Sequence, residues 1–241
     1  MKLLKKLTAI IILLSMLITL NSPIISYAEG ETGTNTTGGT TTGEQTEEIG
    51  TEYEIKEEET WDISKNGDGS VIAKWTLDDR TITISGNGEM KAWYFDSKGD
   101  WHNTQYQNIV DKIEIKSGIN EITNCAFYKC NRLKTISIPN TVTNISTNAF
   151  NDCSSLEKII VEENNQKYIS IEGVLYNKDK TKIIHYPVNN SINNYTIPNS
   201  ITSIESYKFR GCGSLTTIEI PDSVTSIGSS AFSGCISLTN I

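Results

Sequence analysis

A 23-residue period limits this chain more than any other feature. Ala126-Phe127 returns as Ala149-Phe150, Cys130 as Cys153 and Leu133 as Leu156. Ile113, Ile115, Ile119 and Ile122 return as Ile136, Ile138, Val142 and Ile145. Later in the chain Ile197, Ile201, Ile204, Cys212 and Leu215 return as Ile220, Val224, Ile227, Cys235 and Leu238, while Pro139, Pro198 and Pro221 share one position of the unit. A unit this short cannot bury its own apolar face, but stacked copies bury a continuous column of equivalent side chains. Residues 113–241 therefore predict a β-rich repeat solenoid with a parallel sheet. The segment 133–138 ends in apolar-polar alternation, as a short strand does. The following proline closes that strand, because it has no N–H for the ladder. Thr143, Thr202 and Thr225 each follow a β-branched residue and predict a second extended arm. The Ala-Phe pair predicts a tight turn or short helix, with Phe filling the wide part of each coil.

One copy is longer. Residues 159–194 form a 36-residue repeat. Its added material, Gly173-Val174-Leu175-Tyr176 and Lys182-Ile183-Ile184-His185-Tyr186-Pro187 around a polar turn, predicts a hairpin projecting from the solenoid wall. Ahead of the repeats, 61–112 holds all four tryptophans, Trp61, Trp75, Trp93 and Trp101. Alternation over 71–77 and 81–85 predicts another hairpin, and 104–112 a short helix. Two readings of this region stand: an N-terminal cap over the first coil, or an aromatic platform for a glycan, which needs an exposed tryptophan pair.

The strings Ile218-Glu219-Ile220-Pro221-Asp222-Ser223-Val224-Thr225-Ser226-Ile227-Gly228, Ala231-Phe232-Ser233-Gly234-Cys235 and Gly173-Val174-Leu175-Tyr176-Asn177-Lys178-Asp179 carry a resemblance. Over 113–241 the chain resembles the BspA-like, or Treponema pallidum-type, leucine-rich repeat surface proteins. The resemblance implies a leucine-rich-repeat solenoid behind a small β-containing cap, export, and adhesion to host or microbial surface proteins or glycans. Three departures mark the pattern: Lys208 stands for Ala before Phe209, Cys125 precedes Ala126, and the long repeat lacks the ladder cysteine.

The first 28 residues read as a signal peptide. Lys2, Lys5 and Lys6 form its positive end, 7–20 its apolar run, and Ser26-Tyr27-Ala28 its cleavage pattern. The apolar run is short for a membrane span, and no second one follows, so no span is expected after cleavage. Residues 29–60 hold ten Glu and one Lys, and Thr, Gly and Glu fill 26 of their 32 positions. Such a linker has too little apolar surface to offset chain entropy. It also carries the acidity of a chain whose net charge is −8, which leaves the repeats nearly neutral and argues against a nucleic-acid partner.

No catalytic constellation stands out, and neither a cofactor nor a metal is implied. The two histidines, His102 and His185, lack metal-ligand spacing, and His185 sits in a strand-like run. Asn66-Gly67-Asp68-Gly69 resembles part of a calcium loop, but Ser64 and Trp75 stand where its first and last acids belong. The ladder cysteines read as buried free thiols, although export permits disulfides. The middle strand positions Glu114, Ser137, Ile160, Thr196 and Glu219 are the candidate binding face. The chain stops at Ile241, the first isoleucine of a further unit. That leaves two expectations: a longer natural protein, or an uncapped coil that docks on a partner or on a second copy. The function expected is non-catalytic macromolecular binding, with a targeting module of a longer surface enzyme or wall-anchored protein as the alternative.

Overall fold

The computed structural model describes residues 55–94 and 105–241. The leader at 1–28, most of the 29–60 linker, Trp101 and His102 lie outside the described residues. Strands β1 (Glu58–Asp62), β2 (Val71–Thr76) and β3 (Thr81–Gly86) form an antiparallel meander. The β2–β3 hairpin is the one the alternation predicts. β1 starts at Glu58, inside the stretch read as linker. Its position follows from two aromatic anchors: Trp61 packs edge-on against Tyr106 at 5.1 Å, and the Trp75 indole N–H donates to the Lys56 carbonyl at 3.1 Å. These give an acidic segment the apolar surface its composition lacks.

β4 (Gly88–Glu89) follows, then a single 3-10 turn at Gln105–Asn108 where a short helix was expected. Two regular coils come next, built from β5 (Lys112–Ile115), β6 (Ile119–Ile122), β7 (Thr135–Ile138), β8 (Asn144–Ile145) and β9 (Lys158–Val161). β3, β5, β7 and β9 pair in parallel, so the cap hairpin continues the repeat sheet. β4, β6 and β8 form the second arm, also in parallel. The alternation sets the faces: Ile113, Ile136 and Ile159 are buried, while Glu114, Ser137 and Ile160 point the other way.

The long repeat differs from its expectation. It forms three antiparallel strands, β10 (Tyr168–Ile171), β11 (Val174–Asn177) and β12 (Ile183–His185). They do not project from the wall. Val174, Leu175, Tyr176, Ile183 and Tyr186 are buried, and most of them join the core of the last coils. This insert also ends the first ladder: the Ile159 N–H donates to Gly173 at 2.9 Å and the Val161 N–H to the Ser170 hydroxyl at 3.1 Å. The chain then restarts its stack with β13 (Asn194–Thr196), β14 (Ser203–Ile204), β15 (Thr217–Glu219) and β16 (Ser226–Ile227), paired β13–β15 and β14–β16 in parallel.

The Ala-Phe turns stack as the period requires. Phe127 and Phe150 rings lie 5.8 Å apart, Phe209 and Phe232 rings 5.2 Å apart. All five cysteines are free. The Cys153 thiol donates to the Phe127 carbonyl at 3.0 Å and the Cys235 thiol to the Phe209 carbonyl at 2.9 Å, so these two ladder cysteines tie their coils to the turn of the coil before. Among the described residues no helix is long and apolar enough to cross a membrane.

Candidate functional site: the strand face and a seam in the stack

The structure divides the five strand-face residues into two groups. Glu114 faces Ser137, and Ser137 faces Ile160, along the β5–β7–β9 ladder. Thr196 faces Glu219 on the separate β13–β15 ladder. The expectation of one strip of five does not hold, because the three-strand insert takes the place where β9 would meet β13. Along the first ladder, Glu114 is clamped by Lys112 and by Lys116 at 2.6 Å. Hydrogen bonds from Lys112 and then Lys116 hold its carboxyl below the usual range. Ile160 is 44% exposed at the end of that ladder. On the second ladder the Thr196 hydroxyl donates to the Glu219 carboxylate at 2.8 Å.

A second feature lies at the seam left by the long repeat, and sequence reasoning missed it. In a regular junction, turn backbones bond coil to coil. The N–H groups of Phe127 and Lys129 donate to Ala149 and Asn151 at 2.9 and 3.0 Å, and those of Phe209 and Gly211 to Ala231 and Ser233 at 2.9 and 2.8 Å. The long repeat has no Ala-Phe turn. His185 and Tyr186 stand in its place and continue the ring column, His185 at 5.2 Å from Phe150 and Tyr186 at 4.9 Å from Phe209. In the turn column side chains bridge the seam where backbone rungs do not, while beside it the Asn189 N–H donates to the Leu156 carbonyl at 2.9 Å. The result is a cleft of about 670 Å³. Its walls include Lys129, Asp152, His185, Tyr207, Lys208 and Arg210.

Lys208 explains its own departure from the repeat. Its ammonium donates to the Ile184 carbonyl at 2.9 Å and pairs with Glu205 at 3.1 Å, so it pins the second half of the stack to β12 where Ala could not reach. Burial, then Lys208, pushes His185 down to about 3, so this imidazole is neutral at physiological pH. Burial also pushes the Cys130 thiol well up and the Cys153 thiol up to about 12. The signals of the seam in the sequence are the extra length of the long repeat, its lack of Ala-Phe and Cys, and Lys208 in place of Ala.

The cap carries no exposed tryptophan pair among the described residues. Trp75 and Trp93 are buried and Trp61 is packed on Tyr106, so the platform required for glycan binding at the cap is not formed by these three. The calcium-like loop is a turn knotted by the Asp62 carboxylate, which accepts from the Ser64 hydroxyl at 2.5 Å and the Gly69 N–H at 3.0 Å.

Comparison with known proteins adds the following. A family model described as BspA type leucine rich repeat region matches in six copies, over 102–192 and 188–241. Similar solved structures include a leucine-rich repeat protein from Eubacterium ventriosum, 22% identical, covering 76% of this chain and 71% of that one at a TM-score of 0.38. The pneumococcal vaccine antigen PcpA is 18% identical, with 71% and 68% coverage and a TM-score of 0.46. A leucine rich cell surface protein from Faecalibacterium prausnitzii is 22% identical, with 72% and 75% coverage and a TM-score of 0.39. No curated protein matches the chain by sequence.

Proposed function

The chain belongs to the BspA-type leucine-rich repeat family, and from that premise we propose that it is an exported or surface-displayed protein that binds a macromolecule through its solenoid and catalyses no reaction. One observation carries the reading: the Glu114–Ser137–Ile160 ladder holds a 44% exposed isoleucine on the outward side of a rigid sheet, next to polar neighbours. An apolar side chain set in a polar surround on a preformed surface is the arrangement that anchors a partner. A sheet already ordered by its ladder gives up little entropy on docking.

The buried titratable groups support the non-catalytic half. His185 is held neutral in the ring column and the ladder thiols are held protonated. Both are occupied in packing: His185 lies against the Phe150 ring, and the Cys153 thiol donates to the Phe127 carbonyl. Export rests on the leader pattern of 1–28 and on the family. The partner proposed is a surface protein of a host or of another microbe.

The test immobilises the full chain and passes over it a panel of purified extracellular-matrix and bacterial surface proteins, using surface plasmon resonance. At least one panel member binds, and Ile160→Asp weakens that binding by about tenfold or more without changing the circular dichroism spectrum. Binding that is indifferent to Ile160→Asp, or no binding across the panel, overturns the strand-face reading.

A further inference from the structure

The seam cleft holds recognition groups that folding does not consume. In the regular register the Phe150 and Asp152 N–H groups would donate to the next coil, as Phe127 and Lys129 do. Across the seam they find no acceptor among the described residues. On the far wall, the Lys208 and Arg210 carbonyls hold the places of Ala149 and Asn151 and receive no donor among the described residues. The rim is cationic. Lys129 and Arg210 lie over the rings of Tyr128 and Tyr207, at 5.1 and 5.8 Å, and neither forms an ion pair among the described residues. Asp152 is the one carboxylate lining the cleft. In repeats that are nearly neutral, this is a local excess of positive charge. Tyr207, 57% exposed, offers an aromatic edge.

These groups specify a ligand. Paired N–H donors beside two cations fit a carboxylate. Unpaired carbonyls fit hydroxyl groups. An exposed tyrosine beside a floor of packed rings fits an apolar ring face. The volume suits a small ligand. A bare phosphate would leave the rings and carbonyls unused, and an acidic peptide carries few hydroxyls for the carbonyls. We propose that the seam cleft binds an acidic saccharide, a pyranose bearing a carboxylate, with its acid group on the Phe150 and Asp152 N–H groups and the rim cations and its hydroxyls on the Lys208 and Arg210 carbonyls. This site shares no residue with the Glu114–Ser137–Ile160 ladder and does not depend on that reading.

The experiment titrates the full chain with sialyllactose, a glucuronic acid oligosaccharide, lactose and hexaglutamate, by calorimetry and by amide chemical shifts. An acidic saccharide binds, lactose does not, and the Phe150 and Asp152 amide signals move. Binding of sialyllactose alone assigns a terminal sialate, binding of the glucuronate alone a uronate polymer, and either supports the site. The double variant Lys129→Gly/Arg210→Ala weakens binding by about tenfold or more. Its first change restores the residue type that Gly211 and Gly234 supply at the same repeat position, and its unchanged melting temperature shows that folding is intact. Ile160→Asp leaves saccharide binding as it was, which separates this site from the strand face. Failure of both acidic saccharides, equal affinity of the double variant, or tighter binding of hexaglutamate overturns the proposal.

Discussion

A phenylalanine every 23 residues places one ring in each regular coil, and its depth in the stack decides its worth. Phe127 is fully buried, stacked on Phe150, with its carbonyl taking the Cys153 thiol. Phe232 is only partly buried. Phe127→Ala removes the whole ring from a closed site and costs about 3–5 kcal/mol of stability in urea unfolding, whereas Phe232→Ala costs clearly less. Equal losses would mean that the stack is as loose inside as at its last coil. The same period has a backbone side. Lys129, Asp152, Gly211 and Gly234 occupy one repeat position, and all four have positive φ, between 59° and 78°. Two coils therefore hold a side chain in a conformation that glycine adopts without strain, and in both cases that side chain lines the seam cleft.

The long repeat is the element that turns a uniform stack into two. Its β11 joins the β13 side through one polar contact in the core: the Tyr176 and Tyr195 hydroxyls bond to each other. Burial drives both phenols upward in pKa. Tyr176→Phe leaves the Tyr195 hydroxyl buried without its partner, and Tyr195→Phe does the converse. Each single change therefore costs about 1–3 kcal/mol in urea unfolding, while the double change costs no more than either single, because it removes the orphaned group as well. Additive single costs would show that water reaches the pair. The regular coils were legible because equivalent side chains recur at equivalent places, and burial must then recur with them. The hairpin around Asn177-Lys178-Asp179-Lys180 was legible from its two β-type runs. Its third strand, β10, was not, since Tyr168–Ile171 is short and has no counterpart in any other unit. Nor was its docking. Asn165 is fully buried, donates to the Pro139 and Val142 carbonyls and accepts from the Lys167 and Tyr168 N–H groups, and nothing in composition distinguishes it from exposed Asn164. The cleft escaped for a related reason. It joins residues from 129 to 211 through groups the insert leaves unpaired, and period-based reading follows what repeats.

For the molecule as a whole, the titratable groups packed into the ring column and the cysteine ladder set a pH window. His185 ionises near 6.5 when unfolded and near 3 when folded. Between these values the unfolded chain holds the extra proton, so stability contributed by the neutral ring is complete above 6.5 and falls as the pH drops toward 3. The Cys153 thiol works in the opposite direction, from 9 unfolded to about 12 folded. There the folded chain holds the extra proton, and stability falls as the pH rises from 9 toward 12. The burial of Cys130, Cys212 and Tyr195 acts in the same sense. Stability is therefore flat between about pH 6.5 and 9 and declines on both sides. The acid limb can be assigned. Asp62, Asp68 and Glu114 are held below their ordinary values of 3.8, 3.8 and 4.5, so their losses begin lower, and among the described residues the decline from 6.5 to 4.5 is that of His185. His185→Asn keeps a polar planar group under Phe150 but carries no proton to gain. In urea titrations at pH 7.5, 6 and 5 it flattens that decline while lowering the plateau. A wild-type decline that survives the substitution would place the imidazole in water instead of in the ring column, and the bridge that side chains make across the seam would then rest on Tyr186 and on the Lys208 bond to the Ile184 carbonyl.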